Sequence, residues 1–162
     1  MRALLILLFT LGLLVPVYAD VAGHAAAAPA AKAGKVIKVL PLWLDQQGRT
    51  ATSPSLFDRD AYQFYLLNHT NEISAIRYDV LWVVAQDPEA KLRVRAELRG
   101  VGNAGVPKFK TLETAIPPGS CKQWTSLTLD GDDFKQFGAI VAWRVTLWNH
   151  DDQIGEQQSF LW

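Results

Sequence analysis

Lys91-Leu92-Arg93-Val94-Arg95-Ala96-Glu97-Leu98-Arg99 alternates without a break between charged and apolar side chains. Successive residues of a β-strand point to opposite faces, so a period of two sets Leu92, Val94, Ala96 and Leu98 against a core and leaves five charges in water. A strand with one dry and one wet face belongs to an antiparallel sheet solvated on one side.

The flanking sequence extends the pattern. Upstream, Ile76, Tyr78, Val80, Trp82 and Val84 alternate with Arg77 and Asp79, while Leu81 and Val83 make that segment apolar on both faces. Gln86-Asp87-Pro88-Glu89 has turn chemistry, so the sequence predicts a β-hairpin over Ser74 to Arg99. Downstream, Val141, Trp143, Val145 and Leu147 line one face with Arg144 and Thr146 on the other. Asn149-His150-Asp151-Asp152 turns the chain, and Ile154 to Trp162 returns as the last strand. Weaker strand signals cover Val36 to Leu44, Phe109 to Ala115 and Lys122 to Leu129. Gly100 to Pro107 and Pro117-Pro118-Gly119 read as loops.

One stretch has helical spacing. Ser55 can cap, with Asp58 three residues on, as in a capping box that uses Asp in place of Glu. Phe57, Ala61, Phe64 and Tyr65 share a stripe, which predicts a helix from about Leu56 to Leu67 packed over one end of the sheets. A further single turn is expected at Asp132 to Phe137. About seven short strands, with one short helix between the first two, specify a mostly-β antiparallel sandwich.

On these segments the chain resembles the immunoglobulin-like and fibronectin-III-like modules of exported bacterial proteins. The Trp82 strand sits where such folds often bury a tryptophan, and Val141 to Leu147 looks like their penultimate strand. The resemblance spans Val36 to Trp162. It departs from antibody-type domains in having no cysteine pair, and the helix after the first strand is an addition. What it implies is an architecture; it carries no functional residues across.

Residues 1–19 have the three parts of a secretory signal: Arg2, an apolar run from Ala3 to Val15, and Val17-Tyr18-Ala19 as a small-x-small cleavage site. The apolar run is short for a spanning helix. Residues 20–35 are Ala-rich with Gly23, Pro29 and Gly34 and read as a flexible tether. The β-sandwich domain is then residues 36–162, a periplasmic or secreted protein with no stable membrane insertion after cleavage.

The chain has 162 residues, 49% of them hydrophobic, and 16 basic against 16 acidic side chains. That hydrophobic content suffices for a packed core, and charge neutrality removes the electrostatic reason to expect nucleic acid. Cys121 is the single cysteine, so no intramolecular disulfide forms. It is expected as a partly buried small side chain beside the Pro117-Pro118-Gly119 turn.

Candidate chemistry is sparse. His150-Asp151-Asp152 and Asp130, Asp132 and Asp133 cluster acids, but neither follows the calcium-loop pattern, and ordinary turns use the same residues. Asn68-His69-Thr70 fits a glycosylation acceptor, with a helix C-cap by Asn68 or its neighbour as the simpler role. No nucleophile elbow, phosphate loop or zinc spacing occurs. The expectation is a non-enzymatic module with no cofactor, no metal and no catalytic residue.

Six tryptophans are the compositional oddity. Trp82 and Trp143 fall on apolar faces and are expected in the core. Trp124, Trp148 and Trp162 are the candidate ligand-binding residues. The leading expectation is an exported binding or interaction module of unspecified ligand, its partner another exported protein or a polysaccharide. The alternative is a carbohydrate-binding module that stacks a polysaccharide on those three rings.

Overall fold

The computed structural model describes residues 34–102 and 105–162; the expected signal segment and residues 20–33 of the expected tether lie outside them. Strand structure begins at Gly34, two residues inside that tether. The chain runs β1 (Gly34–Asp45), α1 (Leu56–Asn68), β2 (Ile73–Val84), β3 (Leu92–Val101), β4 (Pro107–Ala115), β5 (Lys122–Leu129), α2 (Gly131–Phe137), β6 (Ala139–Asn149) and β7 (Asp152–Gln158). Two antiparallel sheets result: a three-stranded first sheet ordered β1-β2-β5 and a four-stranded second sheet ordered β4-β3-β6-β7.

The alternation in β3 is realised as read. Leu92, Val94, Ala96 and Leu98 are buried, while Arg93, Arg95 and Glu97 are half-exposed and Arg99 is exposed. They join Ile76, Tyr78, Val80 and Trp82 of β2, Leu127 and Leu129 of β5, and Val145 and Leu147 of β6 in one core drawn from both sheets. Each Leu, Ile or Val among them taken fully from water stabilises the fold by roughly 1.5–3 kcal/mol. Trp82 is wholly buried and its Nε1 donates to Thr125 Oγ1 at 2.9 Å, so its one polar atom is satisfied.

The hairpin expected over Ser74 to Arg99 does not form. β2 pairs with β1 and β5, and β3 pairs with β4 and β6. The chain crosses from one sheet to the other through the turn at Asp87, whose carbonyl accepts the Ala90 N–H and whose Oδ1 accepts the Glu89 N–H. β2 lies in the middle of its sheet, so its outer face, with Leu81 and Val83, is half-buried rather than open.

Val141 leaves the core face assigned to it. Arg99 faces Ala142 while Gly100 faces Ile140, so Val141 is the extra residue of a bulge and its side chain turns to solvent. Trp143, Val145 and Leu147 beyond the bulge keep the expected face, with Trp143 half-buried against the core. The last strand ends at Gln158 rather than at Trp162. Gly138 links α2 to β6 at φ 84°, and a Cβ there would run into the Val101 carbonyl, so only glycine fits that close approach.

Candidate interaction surfaces

The helix α1 starts where the sequence places it. Ser55 Oγ accepts the Asp58 N–H at 3.3 Å. The return arm of a capping box is absent: the Asp58 carboxylate takes the Ser53 hydroxyl, and Ser53 Oγ takes the Ser55 N–H at 3.1 Å. At the far end His69 is the C-cap residue, and the Asn68 side chain donates to the Phe64 carbonyl at 2.8 Å.

The helix is turned the other way from expectation. Phe57 is 81% exposed and Phe64 69%, with Ala61 and Tyr65 also exposed. The inward stripe is Arg59, Tyr62, Gln63 and Leu66, with Leu66 fully buried. Polar anchors decide this orientation. Gln63 Oε1 accepts the Trp43 N–H at 2.7 Å, and its Nε2 donates to the carbonyls of Trp43 and Thr50, both at 2.9 Å. Tyr62 donates its hydroxyl to Asp45 Oδ2 at 2.7 Å.

Asp45, at the end of β1, is the centre of this latch. Its Oδ1 accepts the N–H groups of Gln47 and Arg49, each at 2.8 Å, and its Oδ2 accepts Arg49 Nε at 2.8 Å. Burial by itself would push the carboxyl pKa up; the hydrogen bonds from Arg49, Tyr62 and Gln47 outweigh it and hold it at about 2. The same Asp45 contact raises the Tyr62 phenol above its ordinary value.

Because the latch uses the polar stripe, an apolar surface is left outside. Two adjoining hollows of about 350 Å³ each share Trp43 and Leu67 as walls. One continues along β1 past Leu40 and Pro41 to Phe64; the other runs to Ile73, Phe134 and Ile140. Together they form a groove beside α1, rimmed by Phe64, Leu67 and the Arg59–Asp60 ion pair.

The three candidate tryptophans do not come together. Trp124 is 48% exposed on β5, on the outer face of the first sheet. Trp148 and Trp162 belong to the second sheet's charged face, and each carries two guanidiniums. Arg93 and Arg95 lie 5.2 Å from the Trp148 ring centroid, and Arg99 and Arg144 lie 3.9 and 4.9 Å from that of Trp162. Trp162 donates its N–H to the Ser159 carbonyl at 3.2 Å; Ser159 in turn is held by Trp143, whose N–H donates to its Oγ at 3.0 Å and whose carbonyl accepts its N–H at 2.8 Å.

Strand register assembles a different group around Trp124. Across the outer face of the first sheet Lys35, Val83 and Lys122 form one row, Lys38, Leu81 and Trp124 the next, and Leu40, Asp79 and Ser126 the third. Asp79 Oδ1 accepts the Ser126 hydroxyl at 2.6 Å, and its Oδ2 accepts Arg77 Nη2 at 3.0 Å. None of the three lysines forms an ion pair among the described residues. Spacing within one strand hints at Lys122 and Trp124 sharing a face; Lys38 joins them only through the pairing of three strands.

The remaining sequence candidates have structural places. Cys121 is a free thiol and is exposed, not partly buried, because the turn ends at the edge strand β5, held by its carbonyl accepting the Val84 N–H at 2.8 Å. His150 occupies a positive-φ turn position (51°) between β6 and β7. Asp132 and Asp133 lie in the first turn of α2, paired with Lys135 and Lys110. Among the described residues no three His, Cys, Asp or Glu side chains are grouped to hold a metal ion, and no helix is long and apolar enough to cross a membrane. No family model, curated protein or solved structure matches the chain.

Proposed function

We propose that this chain is an exported, non-enzymatic interaction module of the immunoglobulin-like and fibronectin-III-like class, docking another exported protein along α1. The strand order supports the class: seven antiparallel strands, with the first, second and fifth in one sheet. In constant-type immunoglobulin domains the fourth strand joins that same sheet; here it pairs with the third, which favours the fibronectin-III-like form.

The carrying observation is the outward stripe of α1. Phe57 and Phe64 stand in solvent on one helix face, and Phe64 lines the apolar groove. An apolar surface concentrated beside a concave groove is the form of a protein-docking site.

The test places a photo-crosslinking amino acid at Phe64 in the full chain, expressed in its producing cell, with exposed Thr111 on β4 as control position. The reading expects one discrete adduct from position 64, lost with Phe57→Glu while the circular dichroism spectrum is unchanged. Equal adducts from both positions, or none from 64, would reject it.

A further inference from the structure

We infer that the open half of the first sheet's outer face binds an acidic polysaccharide, with Trp124 as the stacking platform and Lys38 and Lys122 as its carboxylate partners. Trp124 and the three lysines line neither hollow of the α1 groove, although Leu40 borders both surfaces, so the inference stands or falls without the protein-docking proposal.

The outer face divides into two halves. Leu42 and Leu44 of β1 and Ala75 of β2 alternate with the inward set, yet they are buried, together with Leu66 of α1 and apart from the main core. The other half carries the rows built on Leu81 and Val83. Leu81 and Val83 are half-buried, whereas Trp124 is 48% exposed.

The charges around Trp124 have one sign. Lys122 precedes it by two residues on the same face, roughly 7 Å along the strand. Lys38 faces it across Leu81, two strand spacings or roughly 10 Å away. Lys35 adds a third cation beyond Val83. Asp79 does not offset them, because Arg77 neutralises it. The surface therefore has a net positive charge and calls for an anionic partner.

The rows on the other side of Trp124 narrow the partner's class. Ser126 and Thr128 continue the same face of β5, beside Asp79 and Arg77 on β2. An aromatic ring next to hydroxyls and a planar carboxylate–guanidinium pair suits a sugar, whose apolar face stacks while its hydroxyls hydrogen-bond at the edge. A bilayer would be served poorly, since a single exposed aromatic offers little apolar area to insert.

The experiment uses affinity electrophoresis and tryptophan fluorescence of the full chain with sodium alginate and polygalacturonate. Dextran is the neutral comparison, dextran sulfate the non-specific polyanion, and phosphatidylglycerol vesicles the lipid arm. The expected result is retardation by a uronate polymer and none by dextran. Trp124→Ala should weaken binding roughly 3–10-fold, Lys38→Glu with Lys122→Glu should abolish it, and Lys91→Glu just before β3 should leave it unchanged. All these side chains are exposed, so folding is preserved. Failure to bind either uronate, equal binding to dextran sulfate with no effect of Trp124→Ala, or preference for the vesicles would each overturn the inference.

Discussion

The side-chain amide of Gln63 pairs with both backbone groups of Trp43, accepting the N–H at 2.7 Å and donating to the carbonyl at 2.9 Å. A neighbouring strand residue would make the same two bonds, so α1 closes part of the open edge of β1 with a single side chain. Two residues earlier Pro41 has no N–H to offer, which blunts that edge further. Gln63→Ala should therefore lower the unfolding free energy by about 1–3 kcal/mol and increase light scattering on storage, both measurable in one urea titration series. An unchanged midpoint would show that the edge at Trp43 needs no partner.

Asp45 makes the α1 latch sensitive to acid. Its folded pKa of about 2 lies below the ordinary 3.8, so its charged form is favoured in the folded state. That contribution is present in full above about pH 4 and is lost as pH falls toward 2. Asp45→Asn should cost about 1–3 kcal/mol at neutral pH, and its stability should fall less than that of the parent chain between pH 4 and 2. Parallel pH–stability curves would contradict the latch.

Strand faces were legible because a period of two is local: Leu92 to Leu98 sorted correctly with no knowledge of their neighbours. Pairing was not. Whether β2 turns back on β3 or crosses to the opposite sheet depends on partners more than 40 residues away, as in Tyr78 opposite Leu127. The one hint was that β2 is apolar on both faces, which suits a central strand covered on two sides. For α1, periodicity identified which residues share a stripe but not which stripe points inward; Asp45 and Trp43, distant in sequence, made that choice. Likewise, the period of two sets Trp148 opposite Trp143, but the guanidiniums over Trp148 follow from cross-strand register, and those over Trp162 from the turn at Ser159 beyond β7.

The guanidiniums stacked on Trp148 and Trp162 give the charged face of the second sheet a role in stability. Arg144 also pairs with Glu97 at 2.7 Å, and Arg95 with Glu113 at 2.7 Å, so arginines that carry carboxylates also cover rings. Trp162→Ala removes two cation–ring contacts and should cost about 1–2 kcal/mol. Much of that loss should persist at about 1 M salt, because a ring stacked beneath a guanidinium is screened less than an exposed ion pair. A thermal-melt shift that vanishes in high salt would assign the effect to surface charge instead.

Tyr78 gives the opposite kind of test. It is fully buried, packed edge-on to Trp143 with ring centroids 6.2 Å apart, and its hydroxyl has no hydrogen-bond partner among the described residues. Burial raises its phenol well above the ordinary 10.0. A buried hydroxyl without a partner destabilises, so Tyr78→Phe, which keeps the ring, should leave stability unchanged or raise it by about 1 kcal/mol. Trp82→Phe, which deletes the bond to Thr125 and opens a void, should cost about 2–4 kcal/mol. The alkaline limb separates the two effects. A raised folded pKa gives a contribution that is complete below pH 10 and lost as pH rises beyond it, because the unfolded chain ionises first. Tyr78→Phe should therefore show a shallower loss of stability between pH 9 and 11 than the parent chain, which retains Tyr62 and Tyr65 in both cases. A costly Tyr78→Phe, with an unchanged alkaline slope, would mean that the hydroxyl is satisfied and the core around it is wetter than its burial indicates.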